Sequence, residues 1–366
     1  MRFRILILVV VLVAVQGCSS GPEISFDDVW TCNIDAVKSD VSDFVDGIYY
    51  ILLDSDADAM FKNADKLIIE NDLIYIADYK SKKIIAYGMD GSVGFVLDRL
   101  GRGPGEYLEI KSFTVNDACL YILDNFNRKV FVYDSFNGQF IRSEDLDFIA
   151  WDMEALGNGG FIFAFSPMAG GRLRQPQTPG RIIVTDDEFD VESFVFNYEP
   201  KEYDVVGQQR YFSTYGDRLI YSSIFFDGFV VFDRFDAEIK DIIGIEFDNP
   251  IPAGSRNDRS VLDGNFNYMC SIPIICDNYS VIEVSTGMYV ESLLYDSYTG
   301  TFFKNDDDNY FRSLYYPMSS TDGCFVCLMD FVVYKELVSG GFECAEPSVE
   351  AHLSEGNFVL AFYRMK

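Results

Sequence analysis

Hydrophobic residues in this chain come in short runs of β-branched and aromatic type, separated by Asn, Asp and Gly, and almost nowhere with the period of a helix. Two runs, Leu73-Ile74-Tyr75-Ile76-Ala77-Asp78 and Leu120-Tyr121-Ile122-Leu123-Asp124, superimpose at a shift of 46 residues that sets Tyr75 over Tyr121 and also Tyr87 over Tyr133. A constant offset carried across two strands marks a repeated unit. A hairpin signature recurs as well. Tyr133-Asp134-Ser135-Phe136-Asn137-Gly138 returns as Tyr295-Asp296-Ser297-Tyr298-Thr299-Gly300, with weaker copies at Val184-Thr185-Asp186-Asp187 and Val231-Phe232-Asp233-Arg234. A second class of turn precedes an apolar strand in six places: Asn71-Asp72, Asn116-Asp117, Asn158-Gly159, Gly216-Asp217, Asp277-Asn278 and Asp322-Gly323. Six units of about 45–65 residues, each a set of short strands, predict an all-β fold: a six-bladed β-propeller of four-stranded antiparallel blades. Only Ser348 to Glu355 reads as a short helix.

A ring of blades has to close. The run Asn357 to Tyr363 is a strand with nothing after it to pair with, and Ile48 to Leu53 is a strand with no blade before it. The N-terminal strand is therefore expected to complete the last blade beside the C-terminal one, leaving no open edge. Length agrees with this architecture. At 366 residues and 49% hydrophobic composition the chain exceeds the roughly 250–300 residues at which a single core stops growing, and radial repetition avoids the split into domains.

Composition then narrows the partners. With 58 Asp and Glu against 29 Lys and Arg, the net charge of −29 opposes binding to nucleic acid. At the N-terminus, Arg2 and Arg4 precede the apolar run Ile5 to Val15, which is too short to span a bilayer and fits the core of a secretory signal. Val15-Gln16-Gly17-Cys18 resembles the processing site of a bacterial lipoprotein, in which cleavage before the cysteine leaves Cys18 lipidated. Residues 1–17 are thus read as a signal peptide, 18–46 as a tether and 47–366 as the propeller. The anchor would attach the protein to a membrane, since each buried CH2 contributes about 0.8 kcal/mol.

Arg99-Leu100-Gly101-Arg102-Gly103-Pro104-Gly105-Glu106-Tyr107, followed by the strand Phe113-Thr114-Val115, resembles the hallmark segment of the six-bladed propeller lipoproteins of Bacteroides-type bacteria, an NHL/TolB-like group. The ending Glu355-Gly356-Asn357-Phe358-Val359-Leu360 is similar to that family's final strand. The resemblance covers nearly all of the mature chain. It implies an outer-membrane lipoprotein, facing the periplasm or the cell surface, and it transfers no catalytic residues.

Strand parity assigns the loops to two faces. With strands labelled a to d from the centre outward, the b–c and d–a loops share one face and the a–b and c–d turns share the other. The first face is expected to gather Lys80, Lys82, Lys83, Arg99, Arg102, Arg128, Arg172, Arg174, Arg181, Arg210, Arg256 and Arg259 around one mouth of a central channel; the second is expected to be acidic. The longest b–c insertion, Pro167 to Gly180, carries Arg172 and Arg174. Together with Arg99, Arg102 and Arg210, and with Tyr107 and Tyr211 as stacking faces, they form the candidate binding set for an anionic or hydroxyl-rich ligand such as a glycan or peptide. Pairing of these arginines with the abundant carboxylates is the competing explanation. Glu106 and Arg102 would then brace the glycine-rich turn.

Catalytic and metal signals are weak. Asp54 to Asp58 resembles the start of a calcium loop but has Ala59 where the turn needs glycine. Cys324 and Cys327 have redox spacing but, three apart on a strand, face opposite sides. No metal or other cofactor is expected. The sole histidine, His352, lies at the expected periphery. A binding or scaffold role is therefore favoured, with a carbohydrate-active hydrolase or lyase using carboxylates, Tyr and Arg as the alternative.

Overall fold

The computed structural model describes residues 25–366 apart from 36, 40–42, 56–57, 166–179, 198–206, 253, 257, 263, 288, 306–315 and 340–343. Three strands, β1 (Asp28–Cys32), β2 (Val37–Ser39) and β3 (Val45–Leu52), precede the first complete blade. That blade is β4 (Lys66–Glu70), β5 (Leu73–Asp78), β6 (Lys83–Gly88) and β7 (Val93–Leu97), antiparallel throughout. The second is β8 (Ser112–Asn116), β9 (Cys119–Asp124), β10 (Lys129–Asp134) and β11 (Phe140–Asp145), and the third is β12 (Asp152–Ala155), β13 (Phe161–Ala164), β14 (Gly180–Thr185) and β15 (Val191–Asn197). The fourth is β16 (Phe212–Tyr215), β17 (Arg218–Tyr221), β18 (Gly228–Asp233) and β19 (Ile239–Phe247). After a short helix α1 (Arg259–Leu262), the fifth uses β20 (Tyr268–Met269) and β21 (Ile274–Cys276) as two pieces of its inner strand, then β22 (Tyr279–Ser285), β23 (Val290–Asp296) and β24 (Thr301–Asn305). The sixth is β25 (Ser319–Thr321), β26 (Cys324–Met329) and β27 (Val359–Met365), completed by β3 on its outer edge.

The expected six-bladed propeller and its closure by the N-terminal strand are thus both observed. β3 and β27 pair antiparallel from Val45 opposite Met365 to Leu52 opposite Val359, so the two ends of the chain share one sheet. The repeat is visible in its contacts. The Tyr87 hydroxyl donates to the Ala59 carbonyl and the Tyr133 hydroxyl to that of Gly105, while Asp78 accepts the Lys62 amide and Asp124 that of Leu108. Both pairs of interactions are related by the same offset that superimposes the strands, and both tie a b- or c-strand to the loop entering its blade.

Two features depart from the sequence reading. The stretch 18–46, read as a tether, contains β1 and β2, which add to the outer edges of the fourth and fifth blades in parallel with β19 and β24. Their cause is burial: Cys32 is inaccessible, and the Trp30 ring stacks on Tyr295 at 3.8 Å between centroids. The connection between β26 and β27 also carries two helices, α2 (Phe331–Ser339) and α3 (Pro347–Ser354), where only the second was expected. α2 begins where the Asp330 carboxylate accepts the Val333 amide, a cap that overrides the strand-like run Phe331-Val332-Val333-Tyr334. Its Tyr334 and Leu337 pack into the same core as Val349 and Leu353 of α3.

Candidate functional site

Six short inner strands run side by side around the axis, and residues from each line one central cavity of about 350 Å³: Lys66, Thr114, Glu154, Ser213, Ile274 and Ser319 from blades one to six. The inner strands are short and alternate polar residues with apolar ones that pack between blades, as in Ser112-Phe113-Thr114-Val115 and Asp152-Met153-Glu154-Ala155. Period-two alternation therefore lines the channel with polar groups although each blade is apolar on both faces.

Lys66 is the centre of this lining. Its side chain is buried, and its ammonium lies 2.6 Å from Glu154 Oε1 and 3.3 Å from Asp152 Oδ1. It also donates to the Ser112 hydroxyl and the Met153 carbonyl. The carboxylates are occupied on their other sides. The Ser112 hydroxyl donates to Asp152 Oδ1, the backbone amides of Tyr211 and Phe212 donate to Asp152 Oδ2, and the Thr114 hydroxyl donates to Glu154 Oε2. Burial pushes the Asp152 carboxyl up, but the Lys66 ammonium, the Ser112 hydroxyl and the two amides together hold it below the ordinary aspartate value.

Arg210 enters the cavity from the d–a loop before β16. One guanidinium nitrogen, Nη1, donates to the Met318 carbonyl at 2.8 Å, while Nε is buried with no hydrogen-bond acceptor, and no carboxylate among the described residues forms an ion pair with this side chain. The Tyr79 hydroxyl from the b–c loop of the first blade is buried behind this lining, near Ser112 and Asp152, without closing a hydrogen bond. Burial, and then the Asp152 charge, push its ionisation well above the ordinary value. Tyr316, whose hydroxyl donates to the Ile272 carbonyl at 3.3 Å, is pushed up to about 12 by burial and by Glu283. Further out, the Lys111 ammonium sits 4.3 Å from the Trp151 ring centre, with its ionisation lowered by burial against the pull of Glu109.

The candidate binding set is only partly assembled here. Arg210 lines the cavity; Arg99 and Arg102 are exposed in the β7–β8 connection and do not. Tyr107 and Tyr211 offer no stacking face, because both are buried in the core. The Tyr107 hydroxyl donates to the Lys82 carbonyl and accepts the Arg99 amide, and that of Tyr211 accepts the Gln208 amide. Arg172, Arg174 and Cys18 lie outside the described residues. The glycine-rich segment is braced as expected of Glu106, whose carboxylate accepts the Gly103 amide.

Several cations of the expected basic face are engaged by neighbouring groups instead of lining the channel. On the first face Arg181 is buried over the Phe225 ring, Arg256 pairs with Asp227, and Lys83 donates to the Asp58 carbonyl. These cations support loops. The opposite mouth is crossed by an ion pair, Arg234 Nη2 to Glu70 Oε2 at 3.3 Å. Within the channel Lys66 and Arg210 balance Asp152 and Glu154. Sequence reasoning missed Lys66, Asp152, Glu154 and Tyr79; the signal was a charged residue at alternate positions of the first strand in a unit, where the partner side must face the axis.

Cysteines and metals add nothing to the site. Cys324 and Cys327 point into different interblade cores, as their spacing requires, and the described residues contain neither a disulfide nor a cluster of three metal-ligating side chains.

Among solved structures, one shares this fold over most of its length. A crystal structure from Bacteroides fragilis NCTC 9343, described as a candidate exported protein, is 18% identical with a TM-score of 0.75, covering 92% of this chain and 99% of that one. A member of the duf4221 family from Bacteroides vulgatus is 11% identical with a TM-score of 0.47, covering 88% of this chain and 97% of that one, and BamB from Moraxella catarrhalis is 12% identical at 0.37, covering 76% and 69%. No curated protein matches. The family model called Domain of unknown function (DUF4934) matches residues 28–354, nearly the whole propeller, and the chain belongs to that family.

Proposed function

We propose that this protein is an exported, lipid-anchored binding protein that takes a neutral, hydroxyl-rich ligand such as a glycan end into the central channel. The observation that carries the reading is Arg210: a guanidinium inside the channel with a buried, unpartnered Nε and no carboxylate in an ion pair with it among the described residues. A buried donor left unpaired costs roughly 1–3 kcal/mol, so a polar ligand atom at that place is favoured. The charges of Lys66, Arg210, Asp152 and Glu154 already cancel, which favours a neutral ligand over an acidic one. The cavity of about 350 Å³ is of the size of small-ligand sites.

The hydrolase alternative is less well supported. General acid catalysis needs a carboxyl with a raised pKa within reach of the substrate, whereas Asp152 is lowered and both it and Glu154 are committed to Lys66 and neighbouring donors. Export is supported by the signal-like N-terminus and by the description of the Bacteroides fragilis neighbour. Outer-membrane attachment rests on Cys18 alone. Metabolic labelling with a radioactive fatty acid should mark the wild-type protein and not Cys18→Ala; label on both variants would refute the anchor.

Binding is tested by isothermal titration of the mature protein against neutral and uronic-acid oligosaccharides. The expected result is binding of a neutral member, weakened at least tenfold in Arg210→Met and less than twofold in Arg102→Ala, since a hydrogen bond from a charged group contributes about 1.5–3 kcal/mol. Equal affinity for wild type and Arg210→Met would place the ligand elsewhere.

A further inference from the structure

A second concavity lies on the a–b and c–d turn face, in the seam between the fourth and fifth blades, and shares no lining residue with the channel. Its volume is about 490 Å³. The floor is apolar, made of Trp30 from β1 with Phe229, Val231 and Ile275, and the rim is acidic, with Asp217, Asp233, Asp241 and Asp277 against Arg218 and Lys240. Lys240 is already engaged by Asp233 and Glu238, and the Tyr215 hydroxyl donates to Asp277. The carboxylates of Asp217 and Asp241 receive no hydrogen bond and no ion pair from the described residues. Next to Ser297 at the edge stands Tyr298, 89% exposed on its hairpin and fixed there by the Asp296 carboxylate, which accepts its amide.

We propose that this seam docks a segment of a partner protein that inserts an aliphatic side chain between flanking lysines or arginines. The argument is charge and shape together. An apolar floor rewards a buried aliphatic group, and two uncommitted carboxylates at the rim select the sign of its neighbours. A second copy of this chain, at −29, is repelled, as is an anionic lipid surface. Tyr298 supplies the exposed aromatic contact common at centres of binding energy.

Trp30 makes the test direct, because the chain has two tryptophans and the other, Trp151, stacks under Lys111 on the opposite face. In the Trp151→Phe variant of the mature protein, the amidated peptide Lys-Leu-Lys-Leu-Lys is expected to change the Trp30 emission saturably, while Glu-Leu-Glu-Leu-Glu does not. Asp217→Asn with Asp241→Asn should weaken the basic peptide about five- to tenfold, the effect of losing two rim charges. Tyr298→Ala, on an exposed tip, should weaken the basic peptide as well. No emission change, an equal response to both peptides, or full affinity in the double asparagine variant would each overturn the proposal. Because the readout is on the far face from Arg210, failure here leaves the channel reading untouched, and failure there leaves this one.

Discussion

Lys66 shows how much a single buried charge can organise. Its ammonium is held by two carboxylates, a hydroxyl and a carbonyl contributed by two blades, so it fastens the first blade to the second and third across the axis. Lys66→Met would leave Asp152 and Glu154 buried without a counter-charge, and the expected loss is about 3–5 kcal/mol of unfolding free energy in urea titration. The triple variant Lys66→Met, Asp152→Asn, Glu154→Gln should recover most of that loss, since removing all partners strands no charge. The same triad predicts a pH dependence. The folded value of Asp152 is lowered, so its contribution is whole above the ordinary aspartate value of 3.8 and is lost as pH falls through the folded value beneath it. Wild type should therefore lose more unfolding free energy than Asp152→Asn between about pH 5 and about pH 3. A parallel decline in both proteins would mean that other carboxylates govern the acid limb.

At the scale of the element, the repeat was legible wherever the signal was local. The Asn/Asp/Gly turns mark strand ends because several adopt left-handed backbone, as at Asn71, Asp117, Asp277 and Asp322. The offset joining Tyr87 to Tyr133 emerged as shared hydrogen bonds because a blade is a local unit. What the sequence concealed was set by tertiary neighbours: a channel lining depends on which strand is innermost, α2 on one aspartate cap, and the arginine set on side chains from blades that meet only through the ring. Tyr107 and Tyr211 misled because an aromatic beside a loop arginine reads the same whether its ring faces solvent or core. The glycine-rich segment before β8 was read for the right reason and is sharply testable. Gly105 has φ of +69°, and a Cβ there would stand 2.5 Å from the Phe140 ring. Gly105→Ala should cost about 1–3 kcal/mol from the strained backbone and the displaced ring, measured as a lower thermal midpoint. Gly101→Ala would meet only the Glu106 carboxylate, which can swing away, so its loss should be smaller and limited to the Gly103 amide contact.

On the scale of the whole molecule, one N-terminal segment closes the ring and strengthens two further blades. β1, β2 and β3 run along the outer edges of the fourth, fifth and sixth blades in turn, so together they bind across half the circumference. These strands do different work. β1 covers an edge that is already a complete four-stranded blade, and its main gain is the packing of Trp30 against Phe229 and Tyr295. β3 supplies a strand without which β27 ends in an open edge, and its Ile51 with the following Leu53 fills the core between the sixth and first blades. Truncation to residue 40 should therefore leave a folded monomer with its melting midpoint lowered by about 5–15 °C, on the scale of losing one large buried aromatic. Truncation to residue 53 should abolish the single cooperative transition and drive association through the exposed edge of β27, seen as a multimer in size-exclusion chromatography. Adding the peptide corresponding to residues 43–53 to that second truncation should restore the monomer, because the missing strand pairs through its backbone and needs no covalent connection to do so. A truncation to residue 53 that melts cooperatively as a monomer would show that the blades hold the ring by their lateral packing alone.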